Sequence, residues 1–176
     1  MSLEKLLKDK KSAVLKRWFE LISETYPEEA SRFLKSKKNP FANPVGYTLS
    51  QEIEHIFDGL IQGQDPGIFR PFLDNIIRIR AVQDFTASQA VVFIFLLKMT
   101  IRESLEKEIR EKTVGEELLA FESKIDHLAL LSFDIFMKCR EKIYELKSSE
   151  VSKRTYRLLQ RANLGVETPP DLPSIP

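Results

Sequence analysis

Few residues in this chain belong to the kinds that do covalent or metal chemistry, and none is arranged for it. Two histidines, His55 and His127, and one cysteine, Cys139, are all that 176 residues contain. Structural zinc asks for four nitrogen or sulfur ligands, which this set cannot bring together. A helical di-iron site needs paired Glu-x-x-His motifs, and the pair is lacking. There is no Gly-x-Ser-x-Gly elbow, Gly-rich phosphate loop or dinucleotide fingerprint. The acidic doublets Glu28-Glu29 and Glu116-Glu117 stand at helix starts, where the helix dipole accounts for them without acid–base work. No catalytic residue, metal or cofactor is assigned, and the chain reads as a non-enzyme.

The single candidates divide in the same way. His55 shares the polar side of its helix with Glu52, Gly59 and Gln62 and is expected to be solvated. His127 borders an apolar stripe, where a haem or metal ligand is the sharper reading and a packed or hydrogen-bonded histidine the one adopted. Cys139 follows Phe136-Met137-Lys138 and is expected in the core rather than as a redox thiol. Charge offers two candidate interaction sites. In Arg78-Ile79-Arg80-Ala81-Val82-Gln83-Asp84-Phe85, the spacing lets Arg78 pair with Asp74 and Arg80 with Asp84 along one helix. Surface pairing that fixes a corner is the favoured reading; an Arg78/Arg80 fork for an acidic ligand or partner is the alternative. From Lys138 to Arg161, eight basic residues face three acidic ones, a local +5 that includes Arg154, Arg157 and Arg161. A solvated helix end is expected first, and docking of an acidic protein second. Nucleic acid comes last, because no aromatic interleaving accompanies the charge.

The elements that must position these residues are all helical. Apolar residues recur at three-and-four spacing, no strand alternation persists, and glycine is scarce. The spacing predicts a helix from about Leu3 to Glu24, a short one opened by Pro27 with Ala30, Phe33 and Leu34 buried, and a loop over 35–44. Asn43-Pro44 then starts a helix with the stripe Leu49, Ile53, Ile56, Phe57, Leu60 and Ile61, ended by Gly63. Asp65-Pro66 opens a turn that becomes helix beyond Pro71, with Phe72, Leu73, Ile76, Ile77 and Ile79 as its face. Thr86-Ala87-Ser88-Gln89 is a capping box for a central helix to about Lys112. Its first half is apolar all round and expected to be surrounded; its second half is charged and expected to protrude. The last helix runs from Gly115 to Ala162, with Ser148-Ser149 as the expected interruption. Its far half has an incomplete apolar stripe that a partner helix would complete, which predicts a homodimer. Four prolines after Gly165 predict an extended or disordered tail. The fold class is all-α: a single-domain bundle of about six helices over 1–163, and a tail over 164–176.

Composition excludes several classes. A net charge of +1 gives no global pull toward nucleic acid. The longest purely apolar run, Ala90 to Leu97, covers about 12 Å as a helix, so no membrane insertion is expected. The charged N-terminus lacks a secretory h-region, and a lone cysteine forms no internal disulfide, both agreeing with a cytoplasmic location. Twelve phenylalanines leave open an apolar cavity for a small-molecule carrier or sensor, although phenylalanine at helical spacing is mostly core.

Three stretches carry a resemblance. Leu15-Lys16-Arg17-Trp18, the segment from Arg32-Phe33 through Asn39-Pro40-Phe41-Ala42-Asn43-Pro44-Val45-Gly46-Tyr47, and Arg78 through Phe85 running into Ser88-Gln89-Ala90-Val91 resemble the RsbRD N-terminal domain family. Members are the variable input domains of bacterial stressosome proteins, the co-antagonists of RsbT. The resemblance, over about residues 10–140, implies a helical sensor domain, usually dimeric, related to the haem-free globin-like domains of that system. In such proteins the last helix leads into a STAS domain. Here only a short proline-rich stretch follows Arg161, so the expected form is a stand-alone input or adaptor protein acting through an unidentified protein partner.

Overall fold

Several helices begin where a side chain satisfies a backbone donor that a helix start leaves open. In the computed structural model, which describes residues 2–36, 41–111 and 114–162, Ser2 caps α1 (Leu3–Asp9) by accepting from the Lys5 amide. After α2 (Lys11–Glu24) and α3 (Glu28–Ser36), the buried Asn43 caps α4 (Pro44–Ile61), accepting from the Gly46 amide at 2.9 Å. Its amide nitrogen donates back to the Leu34 carbonyl at 2.9 Å, so one side chain ties the end of α3 to the start of α4. Residues 37–40 of the expected loop lie outside the described residues. Gly63, at φ +67°, turns the chain after α4 in the left-handed region that glycine adopts without strain.

Asp65 then caps a 3-10 turn (Pro66–Phe69) that passes into α5 (Arg70–Val82), the turn-then-helix order expected around Pro71. Gly59 lets this turn pack close, since a Cβ there would come within 2.5 Å of the Phe69 ring. Both halves of the Thr86/Gln89 capping box form at the start of α6 (Ala87–Ser104). A short α7 (Glu106–Arg110) and α8 (Gly115–Arg161) complete the order. Among the described residues there are eight α-helices, one 3-10 turn and no strand.

Two expected helices are each divided, which is why eight replace about six. The break at Lys10 separates α1 from α2, and the break at Leu105 separates α6 from α7. The two breaks meet: Lys10 Nζ donates to the Ser104 carbonyl at 2.6 Å and to Glu108 at 2.9 Å. A cation thus caps a carbonyl at the end of α6, where the helix dipole favours it. The charged half of the expected central helix stays largely exposed, with no buried residue in α7, although its apolar side packs inward. Ile101 and Leu105 are wholly buried, and Arg102 forks onto Glu122 of α8 at 2.6 and 2.8 Å. α8 passes through Ser148-Ser149 as helix, without the expected interruption.

The chain divides into two compact units, Met1–Cys139 and Arg140–Pro176. In the first, α2 packs most extensively against α6 and α4 against α5. Val14, Trp18 and Ile22 of α2 have no exposed surface, and the Trp18 indole donates to the Phe93 carbonyl at 2.7 Å. The α4 stripe is buried as its spacing predicts. α6 is not surrounded on every side, because Phe95 is 44% exposed while Ala90, Phe93, Ile94 and Leu97 are buried. Phe33 likewise faces outward from α3, whose buried residues are Ser31 and Leu34. In the second unit no described residue is buried. The expected tail lies outside the described residues.

Replacing Asn43 with alanine removes a cap and leaves the Leu34 carbonyl and Gly46 amide unmatched in a buried place. A loss of roughly 2–3 kcal/mol is expected, read as a lower urea midpoint at unchanged slope. A midpoint equal to wild type would show that the α3–α4 junction does not depend on this side chain.

Candidate interaction surfaces

Arg80 is the largest departure from the surface-pair expectation. Its side chain has no exposed surface and lies on the same face of α5 as Leu73, Ile76 and Ile77. Its guanidinium donates to the Gln89 carbonyl at 2.8 Å and to Thr25 Oγ1 at 3.1 Å. Three rings lie around it, Tyr26, Phe85 and Phe93, with centroids 5.1–5.2 Å from the guanidinium carbon. Desolvation pushes the Arg80 pKa below its usual value, with the Tyr26 hydroxyl acting in the opposite direction. Arginine suits such a place better than lysine, because it is planar, stacks on rings and is weakly hydrated. Arg78, two residues earlier, is 69% exposed and pairs with Asp74 at 2.6 Å, as its spacing predicts. Asp84 is exposed and adopts a left-handed conformation at φ 58° after α5. The fork expected of Arg78 and Arg80 is therefore not assembled: one is outside and the other is internal. The signal for this was present, since Arg80 continues the three-and-four spacing of Leu73, Ile76 and Ile77.

Arg154, Arg157 and Arg161 are all exposed on the second unit. Arg140 lies over the Tyr144 ring at 5.1 Å and donates to its hydroxyl at 3.0 Å.

An open groove of about 860 Å³ runs between α2 and α4, closed at one end by α3. Its floor is Leu34 and Ile53, its walls are Leu15, Phe19 and Tyr47, and lysines including Lys16 and Lys35 stand at the rim. Lys11 bridges the two helices at the other end, 2.8 Å from both Glu54 and Asp58. Phe19 is the one phenylalanine lining this groove; Phe57, Phe69, Phe93, Phe121 and Phe136 are buried in the core.

His55 is half exposed beside Glu52, its ring 4.9 Å from that of Phe72, as its polar-side position predicts. His127 is exposed, with Nδ1 2.7 Å from the Ser123 carbonyl one turn earlier, and it lines no part of the groove. Cys139 is half-buried rather than in the core. Burial pushes its thiol pKa up, which disfavours the reactive thiolate. Among the described residues no group of three or more metal-ligating side chains converges. No described helix is long and apolar enough to cross a membrane.

Two substitutions test the Arg80 environment. Lysine at 80 lacks the planar fork that reaches both acceptors and stacks on the rings, and its ammonium is more strongly hydrated. Arg80→Lys is therefore expected to cost about 2–4 kcal/mol in chemical denaturation, more than Arg80→Met, which removes the buried charge. The reverse order would show that charge itself holds this corner. The Tyr26 hydroxyl is buried without a hydrogen-bond partner, so Tyr26→Phe should cost less than about 1 kcal/mol at neutral pH. Burial raises the Tyr26 pKa above 10.0, so the unfolded chain releases this proton first as pH rises. Wild-type stability should therefore fall above pH 10 more steeply than that of the phenylalanine variant.

Residues 12–151 fit the model of the RsbT co-antagonist protein rsbRD N-terminal domain. No curated protein and no solved structure matches. The matched segment takes in α2 through most of α8, including the Asn43 junction and the Arg80 corner. On that span the chain belongs to the RsbRD N-terminal domain family, whose members are stress-signalling input domains.

Proposed function

We propose that this chain is a non-enzymatic signal-input or adaptor module of bacterial stress or environmental signalling, acting in the cytoplasm through protein–protein contacts. The observation that carries the reading is the family match together with the second unit. Its helix buries none of its described residues and leaves Arg154, Arg157 and Arg161 exposed. A helix with so little of its own core is stabilised by what it meets. The reading takes the chain as a homodimer whose output passes to an acidic protein surface, since the exposed charge is basic.

Deleting the gene in its host should change the response of a general-stress reporter. Wild-type protein should restore it, and a variant with Arg154, Arg157 and Arg161 changed to glutamate should not. An unchanged reporter under every stress applied, with the protein expressed, would overturn the signalling reading.

The groove between α2 and α4 favours a second reading, a sensor or carrier of an apolar small molecule. Its apolar floor and lysine rim suit a ligand with a hydrocarbon body. Native mass spectrometry of protein purified from its host should then show a reproducible adduct that Leu15→Glu removes. Protein at its bare mass would exclude this reading and leave the first standing.

A further inference from the structure

Charge is distributed unevenly along the groove between α2 and α4. At the end that Lys11 bridges, Asp9, Glu54 and Asp58 stand against Lys8 and Lys11, and Lys8 is already paired with Glu4. Farther along the groove Lys35 pairs with Glu24 at 3.3 Å, and Glu20 lies 4.0 Å from Arg17. Lys16 lines the same stretch, is exposed, and has no ionic partner among the described residues. Between these charges the surface is apolar. Leu15 and Phe19 are four residues apart and half-buried, a second apolar strip on α2 beside the wholly buried Val14, Trp18 and Ile22. Ile53 of α4 and Leu34 of α3, both buried, complete the floor. From Lys11 to Phe19 the helix rises about 12 Å, and the groove's volume of about 860 Å³ lies in the range of small-molecule sites.

We propose that this groove binds the alkyl chain of a monocarboxylate of the fatty-acid class, with Lys16 holding the carboxylate at the rim. The inference rests on the ligand-sensor reading above and adds the class of ligand and the residue that recognises its head. Shape selects a flexible chain over a partner helix. The trough is closed at one end by α3 and bridged at the other by Lys11, whereas a helix is about 10–12 Å across and needs open ends to run through. An alkyl chain ends inside and lies against Leu15, Phe19 and Ile53. Charge selects the head. The other lysines of the groove have carboxylates of their own, so an anion meets Lys16 without breaking an existing pair. A lysine ammonium is a compact point charge, which suits a single carboxylate. Phosphate is often held by an arginine fork, and among the described residues no arginine lines this groove. Because Lys16 is exposed, its pairing adds modestly, and most of the affinity comes from burying the chain.

The test titrates the full chain calorimetrically with decanoate and with decanol, which share a chain length and differ in charge. At low salt decanoate should bind saturably and about fivefold more tightly than decanol. Lys16→Gln and raised salt should each remove that difference while leaving decanol binding unchanged. Leu15→Glu should abolish binding of both, and thermal unfolding of both variants should match wild type. Equal affinity for the two ligands, or decanoate binding unmoved by Lys16→Gln, would overturn the assignment of the head and leave the apolar-ligand reading standing. Decanoate binding that survives Leu15→Glu would place the molecule outside the groove and overturn the site. If neither ligand binds, the fatty-acid inference falls, and the broader ligand reading falls with it only if protein from the host also carries no adduct. Wild-type chain that self-associates through Leu15 and excludes decanoate would assign the groove to a second copy and overturn the proposal.

Discussion

A guanidinium shut away from water imposes conditions on everything around it, and Arg80 sits where four pieces of chain meet. Thr25 and Tyr26 come from the turn between α2 and α3, Phe85 from the turn between α5 and α6, and Gln89 and Phe93 from the first turns of α6. Each must hold its place for the charge to find two acceptors and three ring faces. The cost of burying a cation is several kcal/mol, and it is offset only when these partners are all positioned together. That requirement sets the corner at which the chain reverses from α5 into α6. It also brings Phe93 to the site where its carbonyl accepts from the Trp18 indole. The α2–α6 contact, the most extensive in the first unit, is thus continuous with the Arg80 cage.

A second set of constraints acts at the other end of α6. Lys10 caps the carbonyl of Ser104, Arg102 forks onto the buried Glu122, and Lys98 holds Asp126 at 2.7 and 2.8 Å. With Glu117 accepting from the Leu3 amide at 2.6 Å, these contacts tie the first half of α8 to α1 and α6. Exposed ion pairs add little singly. Arg102–Glu122 differs, because the carboxylate is buried and its removal would leave either partner unmatched.

The two surfaces that remain have different physical characters, and they separate the functional readings. The groove between α2 and α4 is concave and part of the folded first unit, so it could accept a small body without rearrangement. The α8 face from Tyr144 onward is linear and exposed, and apolar residues on a lone helix gain burial only by packing against a further segment. An input module needs both a way to receive a signal and a way to pass it on, and these surfaces are distinct in the fold.

Helix class, most stripes and the caps at Asn43, Asp65 and Thr86 were legible in the sequence because they depend on neighbours within four residues. The family too was legible, since its marks at Asn39–Tyr47 and Arg78–Val91 are local strings. What local rules could not reach was set by contacts between distant segments. The helix breaks at Lys10 and Leu105 fall where one lysine satisfies a carbonyl and a carboxylate more than ninety residues away in sequence. The charge of Arg102–Arg110 is largely solvated, as its composition suggests, but its contacts with Glu122 and Lys10 came only with the fold. Arg80 continued the buried stripe of its helix, but its partners, Thr25, Tyr26 and Phe93, are far along the chain and no local rule named them. The sequence by itself determined that the protein is helical and where most helices begin, because capping and periodicity are short-range. Only the tertiary structure decided which charges lie inside, because burial depends on what the rest of the chain places opposite them.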